Sequence, residues 1–292
     1  MNSMTPEISV IIVTNNSAPV LAESLPALKL SIEDFNHFFS REGSVEVVVI
    51  DNNSSDTSPD IVRRSFPDAK ALKLDLNTGF ASACNLGAER AKGRYLLLLN
   101  PDVVLESEAL WALHREIENR SDAGAVCGRL TNTDGSFQAT CRNFPDVRNI
   151  LGSRGSWLLR FSKRNRYTLD DSSEVISVPA TAATMLMIKS DVFASHSGFD
   201  ERFFMYMEDT DLCRRLGLAS QKIYYVPTAV GIHKWGQGSD VGFLKRAFWH
   251  HLSVWKYFAK WRPGFFTYVV LPPALCLNFL LRSISAPFDN PN

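Results

Sequence analysis

Residues 95–102 read Tyr-Leu-Leu-Leu-Leu-Asn-Pro-Asp. The four consecutive leucines predict a strand that is covered on both faces, as the parallel strands of α/β domains are. Burial of each leucine is worth roughly 1.5–3 kcal/mol, so this strand can hold its C-terminal end rigidly. Pro101 favours an extended Asn100, which directs Asn100 and Asp102 to the carboxyl edge of the sheet, where α/β folds bind ligands. Taken alone, Asn-Pro-Asp fits an ordinary turn equally well.

The composition is that of a globular chain with balanced charge. Hydrophobic residues make up 45% of the 292 positions, and Lys+Arg and Asp+Glu both number 31, so nothing in the net charge indicates nucleic acid binding. The five cysteines include no CxxC pair, which favours reduced thiols over disulfides or a zinc site. Residues 1–7 are polar, so no secretory signal is expected and the protein is predicted to be cytoplasmic.

Strand and helix patterns alternate over the first hundred residues. Apolar, β-branched segments at 8–14, 45–50 and 69–74 each end in polar residues and precede a helical pattern. This alternation predicts an α/β fold, with a mostly parallel central sheet flanked by helices and with right-handed crossovers. Three later apolar segments also predict strands, at 123–130, 182–188 and 223–230.

Each of four predicted strand ends in the first half carries Asn or Asp. These residues are Asn15, Asn16, Asp51, Asn52, Asn77, Asn100 and Asp102. At the carboxyl ends of parallel strands, such side chains can hydrogen-bond a base and ribose and hold a metal on a diphosphate. The chain has neither a Walker A nor a GxGxxG motif, so a cation has to neutralise the phosphates. Mg²⁺ or Mn²⁺ suits oxygen and imidazole ligands.

Three carboxylates, Glu208, Asp209 and Asp211, crowd a predicted helix start. The helix dipole and nearby arginines explain one or two acidic residues there. A third, directly after an apolar segment, is better explained by a general base. His233 lies just past the last predicted strand, where a metal ligand and an ordinary core histidine are comparably good interpretations.

Basic residues are unevenly distributed. Residues 142–166 contain seven basic residues against one acidic residue, Asp146, and form either a surface that meets an anionic substrate or a solvated loop. From 243 to 282 there are six basic residues and no acidic one. Residues 243–262 have aromatic and leucine side chains at helical spacing, which suits an anionic membrane surface or packing on the domain. Residues 265–281 are uncharged but shorter than the ~20 residues of a membrane span, so an interfacial or half-inserted anchor is expected rather than a true span.

Six motifs occur in a fixed order between residues 8 and 240. They are VIIVTNN at 10–16, VIDNNSSD at 49–56, NTGFASACN at 77–85, NPD at 100–102, MEDTDL at 207–212 and His233. Their order and spacing resemble family 2 glycosyltransferases, and within that family the rhamnosyltransferase branch. The resemblance implies a GT-A fold and transfer of a sugar, with inversion, from a nucleoside diphosphate donor.

The resemblance also implies the site residues. Those of the donor base and ribose site are Thr14, Asn16, Asp51, Asn77, Gly79, Asn85 and Asn100. Asp102 is implied as the metal-binding carboxylate, with His233 as the second ligand of Mg²⁺ or Mn²⁺. Asp209 is implied as the general base, with Glu208 beside it in the catalytic pair. Asn100 stands where the family usually has the first Asp of its DxD element.

The sequence thus predicts a GT-A domain at 1–240 and a basic, aromatic helical tail at 241–292 that contacts the inner face of the cell membrane. The expected donor is dTDP- or UDP-linked, with dTDP-L-rhamnose favoured by the branch. The expected acceptor is a hydroxyl of a glycan or of a polyprenyl-diphosphate-linked saccharide in cell-surface polysaccharide synthesis. Two alternatives remain open, a sugar nucleotidyltransferase and a non-catalytic, membrane-associated nucleotide-binding module.

Overall fold

The structure is a computed structural model that describes residues 5–39, 44–146, 168–234, 236, 238 and 241–285. Most of the basic stretch 142–166 therefore lies outside the described residues. In the described part of the chain, ten strands form one central mixed sheet, in which the strands on the main path have the order β3-β2-β1-β4-β11-β6-β12-β5. In chain order the strands are β1 (Ile8–Thr14), β2 (Val45–Asp51), β3 (Lys70–Lys73), β4 (Tyr95–Leu99), β5 (Val103–Leu105), β6 (Ala123–Thr131), β7 (Phe137–Gln138), β8 (Cys141–Arg142), β9 (Ile176–Val178), β10 (Ala180–Thr181), β11 (Met185–Lys189) and β12 (Lys222–His233).

Helices cover both faces of this sheet. They are α1 (Ala18–Phe38), α2 (Ser58–Ser65), α3 (Phe80–Arg90), α4 (Ala109–Glu118), α5 (Ser190–Ser195), α6 (Glu208–Leu218), α7 (Phe243–Trp261), a π-helical turn (Phe266–Val270) and α8 (Leu271–Ser285). One core contains buried side chains of α1 and α4, and a second core contains buried side chains of α3 and α6. The expected α/β architecture with strand–helix alternation is confirmed.

The leucine strand β4 lies in the middle of the sheet and is buried along its whole length. It pairs with β1 in parallel and with β11 in antiparallel orientation. Leu97 and Leu99 belong to one core, whereas Leu96 and Leu98 belong to the other, as expected for a strand covered on both faces. The strands β3, β2, β1 and β4 are mutually parallel, and their carboxyl ends therefore meet at one edge.

A short strand that the sequence patterns do not predict follows the Asn-Pro-Asp turn. The turn is closed by a hydrogen bond from the Val103 N–H to the Asn100 carbonyl at 3.2 Å. Strand β5 then pairs with β12 in antiparallel orientation, with Val103 opposite His233. Strand β12 also pairs with β6, in parallel orientation. Its pairing with β5 brings the end of β12 next to Asp102.

Helix α7 packs against the segment that precedes α6. Val254, Tyr257 and Phe258 form a cluster with Phe203 and Met207. The described part of the predicted tail therefore shares a core with the rest of the domain, in agreement with the packing interpretation of this helix. Among the described helices, none combines the length and the apolar composition that crossing a membrane requires.

Polar contacts hold α7 in the same place. The Ser253 hydroxyl donates to the Met205 carbonyl at 2.8 Å. Lys260 Nζ lies 2.7 Å from an oxygen of Asp200 and 2.6 Å from one of Asp211. This lysine therefore binds carboxylates of the domain.

Phe258→Ala tests whether α7 belongs to the cooperative core. Phe258 is 1% exposed, so the substitution is expected to lower the free energy of unfolding by about 3–5 kcal/mol. Phe248→Ala on the same helix is the control, because Phe248 is 50% exposed and should change stability by less than about 0.5 kcal/mol. Urea denaturation measures both. Equal, small losses would show that α7 unfolds separately.

Candidate active site

Asp102 and His233 form a buried pair at the carboxyl edge of the sheet. Asp102 Oδ1 lies 3.3 Å from His233 Nε2, and both side chains are about 5% exposed. The second oxygen, Asp102 Oδ2, accepts a hydrogen bond from the Gly238 N–H at 2.9 Å. Within the described residues, Oδ1 is buried and accepts no hydrogen bond. A bound cation would satisfy such a buried carboxylate oxygen.

The tautomer of His233 is set by Gln138 on β7. His233 Nδ1 lies 2.5 Å from Gln138 Oε1, and the amide is oriented by its own donation to Asn132 Oδ1 at 2.9 Å. An amide oxygen only accepts, so Nδ1 carries the hydrogen and the neutral ring has its lone pair on Nε2. This is the arrangement that an imidazole metal ligand requires.

The geometry of this pair fits a divalent cation. Two acceptor atoms, Asp102 Oδ1 and His233 Nε2, face each other at 3.3 Å. Ligands at about 2.1 Å from Mg²⁺ in adjacent octahedral positions are about 3 Å apart, close to this separation. Among the described residues, no group of three or more His, Cys, Asp or Glu side chains is arranged to hold a metal.

Polar side chains at the ends of β1 and β2 bind one another. The Thr14 hydroxyl donates to Asp51 Oδ1 at 3.1 Å. Asn16, which has a positive φ of 54°, accepts from the Ser55 N–H at 2.8 Å. These contacts hold Thr14, Asn16 and Asp51 together at the edge where the sequence places the donor nucleotide.

Asn52 connects this edge to the next loop. Its amide donates to Asn77 Oδ1 and to the Gly79 carbonyl, both at 3.1 Å, and it accepts from the Thr78 N–H at 2.8 Å. Asn52 is 3% exposed, so its hydrogen-bonding groups serve the protein itself. Asn77 also accepts from the Gly79 N–H at 3.0 Å, which fixes the loop before α3.

Gly79 lies where the loop before α3 meets the segment before α6. Its φ is +87°, and a Cβ there would lie 2.4 Å from the Phe204 carbonyl oxygen. The same carbonyl accepts from the Phe80 N–H at 2.8 Å. Glycine is therefore required both by backbone conformation and by the close approach of Phe204.

Asn85 and Asn100 have other surroundings. The Asn85 side chain donates to the Phe199 carbonyl at 2.9 Å and accepts from the Phe199 N–H at 2.8 Å, so it ties α3 to the loop before α6. The Asn100 N–H donates to the Thr184 carbonyl at 2.9 Å, which anchors the turn that carries Asp102. Asn85 is predicted to bind the nucleotide sugar, but these two hydrogen bonds join its side chain to Phe199.

The three carboxylates at the start of α6 have different partners. Asp211 is bound by Arg215 at 2.8 Å, Lys260 at 2.6 Å and the Trp261 indole at 2.8 Å, so its role is structural. Asp209 Oδ2 lies 2.6 Å from Arg142 Nη2. The other oxygen of Asp209 accepts two hydrogen bonds from Thr210. Asp209 is therefore the member of the Glu208–Asp209 pair that contacts a cation, and its side chain is 10% exposed.

Glu208 has the opposite electrostatic environment. Its Oε2 is buried and has no hydrogen-bond partner among the described residues. Burial, and then the charge of Asp209, raise the pKa of Glu208 from 4.5 to about 8. Glu208 is consequently protonated at neutral pH, while Asp209 beside it has a cation within contact distance. The pair thus contains one carboxylic acid and one candidate base.

Residues 9–195 match the sequence profile of glycosyl transferase family 2. The chain belongs to this family. An N-acetylglucosaminyl-diphospho-decaprenol L-rhamnosyltransferase of Mycobacterium tuberculosis is 28% identical over 277 residues, 89% of this chain and 87% of that protein. Rhamnosyltransferase WbbL of Escherichia coli is 29% identical over 170 residues, 58% of this chain and 62% of WbbL.

Solved structures of glycosyltransferases share the fold. Mannosyltransferase PcManGT from Pyrobaculum calidifontis, in complex with GDP-Man and Mn²⁺, has a TM-score of 0.59 at 17% identity, covering 99% of this chain and 77% of that chain. TarS 1-349 of S. aureus in complex with UDP has a TM-score of 0.54 at 18% identity, covering 98% and 75%. The expected GT-A fold of this family 2 chain is confirmed.

Sequence reasoning missed several residues of this glycosyltransferase site. No local sequence pattern indicates Gln138 or Gly238, because each contacts a residue that is distant in the sequence, His233 and Asp102 respectively. Asn52 is among the strand-end residues named from the sequence, but its buried position and its contacts with the loop at Asn77 follow only from the structure. Arg142 was assigned to the basic stretch 142–166, whereas in the structure it contacts Asp209.

The raised pKa of Glu208 predicts a loss of stability at alkaline pH. The folded protein holds the proton more tightly than the unfolded chain, so this stabilisation is complete below pH 4.5 and is lost as the pH rises through 8. Between pH 5 and 8, wild type should lose roughly 3 kcal/mol more of its free energy of unfolding than Glu208→Gln. Denaturant unfolding at both pH values measures this difference.

Glu89→Gln is the control for this titration, because Glu89 is an exposed glutamate on α3. Its pH dependence should equal that of wild type. A Glu208→Gln variant that loses stability with pH as steeply as wild type would contradict the burial of a protonated Glu208.

Proposed function

We propose that this chain is an inverting glycosyltransferase that transfers L-rhamnose from dTDP-L-rhamnose to a hydroxyl of a polyprenyl-diphosphate-linked N-acetylglucosamine. The observation that carries the proposal is the buried Asp102–His233 pair, combined with a carboxylic acid and a carboxylate, Glu208 and Asp209, at the start of α6. The identity of the sugar and of the acceptor rests on the M. tuberculosis relative, whose name states both and which matches 89% of this chain.

The strand ends are suited to bind the nucleotide of the donor. Thr14, Asn16, Asp51, Asn77 and Gly79 belong to three adjacent strand ends and loops whose side chains and backbone are fixed by hydrogen bonds. A preorganised edge of this kind binds a ligand without a large cost of ordering side chains. We assign base and ribose recognition to this edge, with Asn100 beside it and Asn85 supporting α3.

The metal, Mg²⁺ or Mn²⁺, would be held by Asp102 Oδ1 and His233 Nε2, with further ligands from the donor diphosphate and water. When bound, it supplies positive charge that stabilises the diphosphate as leaving group. Gln138 keeps His233 in the required tautomer, and the Gly238 N–H restricts Asp102 to one free oxygen.

Asp209 is the proposed general base. The acceptor hydroxyl forms a bond to the anomeric carbon, its proton passes to Asp209, and the bond to the diphosphate oxygen breaks with its electron pair. A single displacement of this kind inverts the anomeric carbon. Glu208, which holds its own proton at neutral pH, adds no second negative charge beside the base.

An anionic membrane is the proposed location of the acceptor. Within the described residues, the outer side of α7, the π-helical turn and α8 expose apolar side chains, and Phe265 is 76% exposed. Others in this membrane-facing patch are Phe243, Leu244, Phe248, Tyr268, Val269, Val270, Leu277, Leu280 and Leu281. Lys245 and Arg262 are exposed on the same segment, and residues 243–285 contain no acidic residue. Such a surface suits peripheral binding to the inner face of the cell membrane.

We therefore divide the chain by role, with the transfer reaction in residues 1–240 and membrane contact in residues 241–292. Helix α7, which carries part of the membrane-facing patch, packs on the segment before α6. It also contacts α6 itself, through the hydrogen bond from the Trp261 indole to Asp211. An acceptor anchored in the membrane would then reach Asp209 from the side of α7.

Asp209→Asn tests the assignment of the base. The variant is expected to lower kcat by about 10²–10⁴-fold, because general-base catalysis contributes that much, and to leave KM for the donor unchanged. The assay measures dTDP release from dTDP-L-rhamnose with synthetic polyprenyl-diphosphate N-acetylglucosamine, and UDP- and GDP-sugars serve as competing donors. Asp122→Asn, a surface carboxylate that binds Lys222, is the matched control and should have wild-type activity.

Asp102→Ala, assayed in Mg²⁺ or Mn²⁺ and then in EDTA, tests the metal site. Wild type should lose activity in EDTA and regain it with excess metal, whereas Asp102→Ala should be inactive in both conditions. Metal-independent turnover would refute the metal site while leaving the glycosyltransferase assignment intact. Turnover of another sugar nucleotide would correct the donor, and no turnover with any donor would favour the non-catalytic nucleotide-binding module.

Membrane binding is tested with the double variant Leu244→Glu, Phe248→Glu. Introducing two charges into the membrane-facing patch should abolish flotation of the protein with vesicles that contain anionic lipid. The control is Leu76→Glu, because Leu76 is 73% exposed and does not belong to the membrane-facing patch. Wild-type protein that stays unbound with anionic vesicles would contradict the proposed location.

A further inference from the structure

Arg142 reaches the catalytic pair from a different part of the fold. It lies on β8, which pairs with β10, where Ala180 is opposite Arg142. Helix α6 contacts the same small sheet through Cys213, whose thiol lies 3.7 Å from the Thr181 carbonyl. The backbone positions of Arg142 and Asp209 are therefore both fixed against β10, and their side chains meet at 2.6 Å.

This ion pair is largely shielded from water. The Arg142 side chain is 20% exposed and that of Asp209 is 10% exposed. Solvent and salt screen an ion pair that is shielded in this way much less than they screen a surface pair. By contrast, Asp211 in the same helical turn is bound by Arg215, Lys260 and the Trp261 indole, which separates it from this pair.

The remaining titratable neighbours do not compete for this role. Cys213 follows one turn after Asp209, and burial raises the pKa of its thiol to about 12. Cys84 on α3 faces Glu208, and burial together with the charge of Glu208 raises the pKa of its thiol well above 9.0. Cys141 adjoins Arg142 itself, and a hydrogen bond with Cys127 lowers its pKa. Among the groups described around Glu208 and Asp209, Arg142 is the cation that contacts Asp209. Its charge also lowers the pKa of Glu208, but burial and the charge of Asp209 have larger, opposite effects.

We propose that Arg142 is a positioning residue that decides which of the two adjacent carboxyl groups is ionised, holding the charge on Asp209 and leaving the proton on Glu208. This inference rests on the proposed function, because it assigns the charge of the base in that reaction. Arg142 does not exchange a proton. The acceptor proton passes to Asp209 as the new bond to the anomeric carbon forms and the bond to the diphosphate breaks.

Arg142 also restricts the orientation of the base. Thr210 donates two hydrogen bonds to Asp209 Oδ1, and Arg142 binds Oδ2. Both oxygens of the carboxyl group therefore have a partner, which fixes its orientation. Loss of the guanidinium would leave two neighbouring carboxyl groups that share one charge. Ionisation of the pair would then require higher pH, and the charge would no longer be confined to Asp209.

The test compares Arg142→Gln with Arg142→Lys by their pH–rate profiles. Arg142→Gln should move the acidic limb of kcat to higher pH by about one unit or more, because an adjacent arginine favours the ionised form of a carboxyl group. The fall in kcat should therefore be confined to the acidic side of the profile and recover at higher pH, with KM for the donor unchanged. Arg142→Lys, which keeps the charge, should restore the acidic limb to within about one unit of wild type.

Arg129→Gln is the matched control, because Arg129 forms a comparable pair with Asp171, at 2.8 Å, away from α6. Its acidic limb should equal that of wild type. An unchanged limb in Arg142→Gln would overturn the proposal. An equal loss of activity at every pH would also overturn it, because it would mean that Arg142 only maintains structure.

A double-mutant cycle separates this inference from the proposed function. The stability losses of Arg142→Gln and Asp209→Asn, measured by denaturant unfolding, should sum to more than the loss of the double variant, since either substitution removes the same ion pair. This measurement needs no turnover. Additive losses would overturn the Arg142 proposal, whereas wild-type protein that turns over no sugar nucleotide would refute the proposed function.

Discussion

The pairing of β5 with β12 is the constraint on which the candidate active site depends. It sets Val103 opposite His233 and so holds the imidazole 3.3 Å from Asp102 Oδ1. Backbone hydrogen bonds fix this register, and a shift by one residue would turn the histidine to the other face of the strand. The buried leucine strand β4 supports the arrangement, because it anchors the Asn-Pro-Asp turn in the middle of the sheet. Gln138 then completes the site by orienting the ring.

Charge is distributed around α6 so that neighbouring carboxyl groups have different states. Asp211 is bound by two cations and an indole, Asp209 by Arg142, and Glu208 by no hydrogen-bond donor among the described residues. The helix dipole favours all three anions, but the buried environment tolerates only those with a partner. The partner of each carboxyl group, rather than its position in the sequence, thus separates a structural acid, the proposed base and a neutral carboxylic acid.

Helix α7 connects the proposed membrane surface to this charge arrangement. Its inner face packs on Phe203 and Met207, and its last turn supplies Lys260 and Trp261 to Asp211. Its outer face contributes exposed side chains such as Phe248 to the membrane-facing patch. The amphipathic pattern in the sequence is consistent with either packing or membrane contact, and the helix has a face for each. Two of its basic residues, Lys256 and Lys260, bind the domain.

The sequence by itself determined the strand–helix alternation, the buried leucine strand and the polar strand ends, because side-chain periodicity and turn residues act locally. The family resemblance added the order of the motifs and the expected GT-A fold. Only the tertiary structure decided that Arg142 pairs with Asp209, that Gln138 orients His233 and that Glu208 is left without a hydrogen-bond donor among the described residues. These contacts join residues far apart in the chain, so they follow from sheet register and helix packing, which no local pattern specifies.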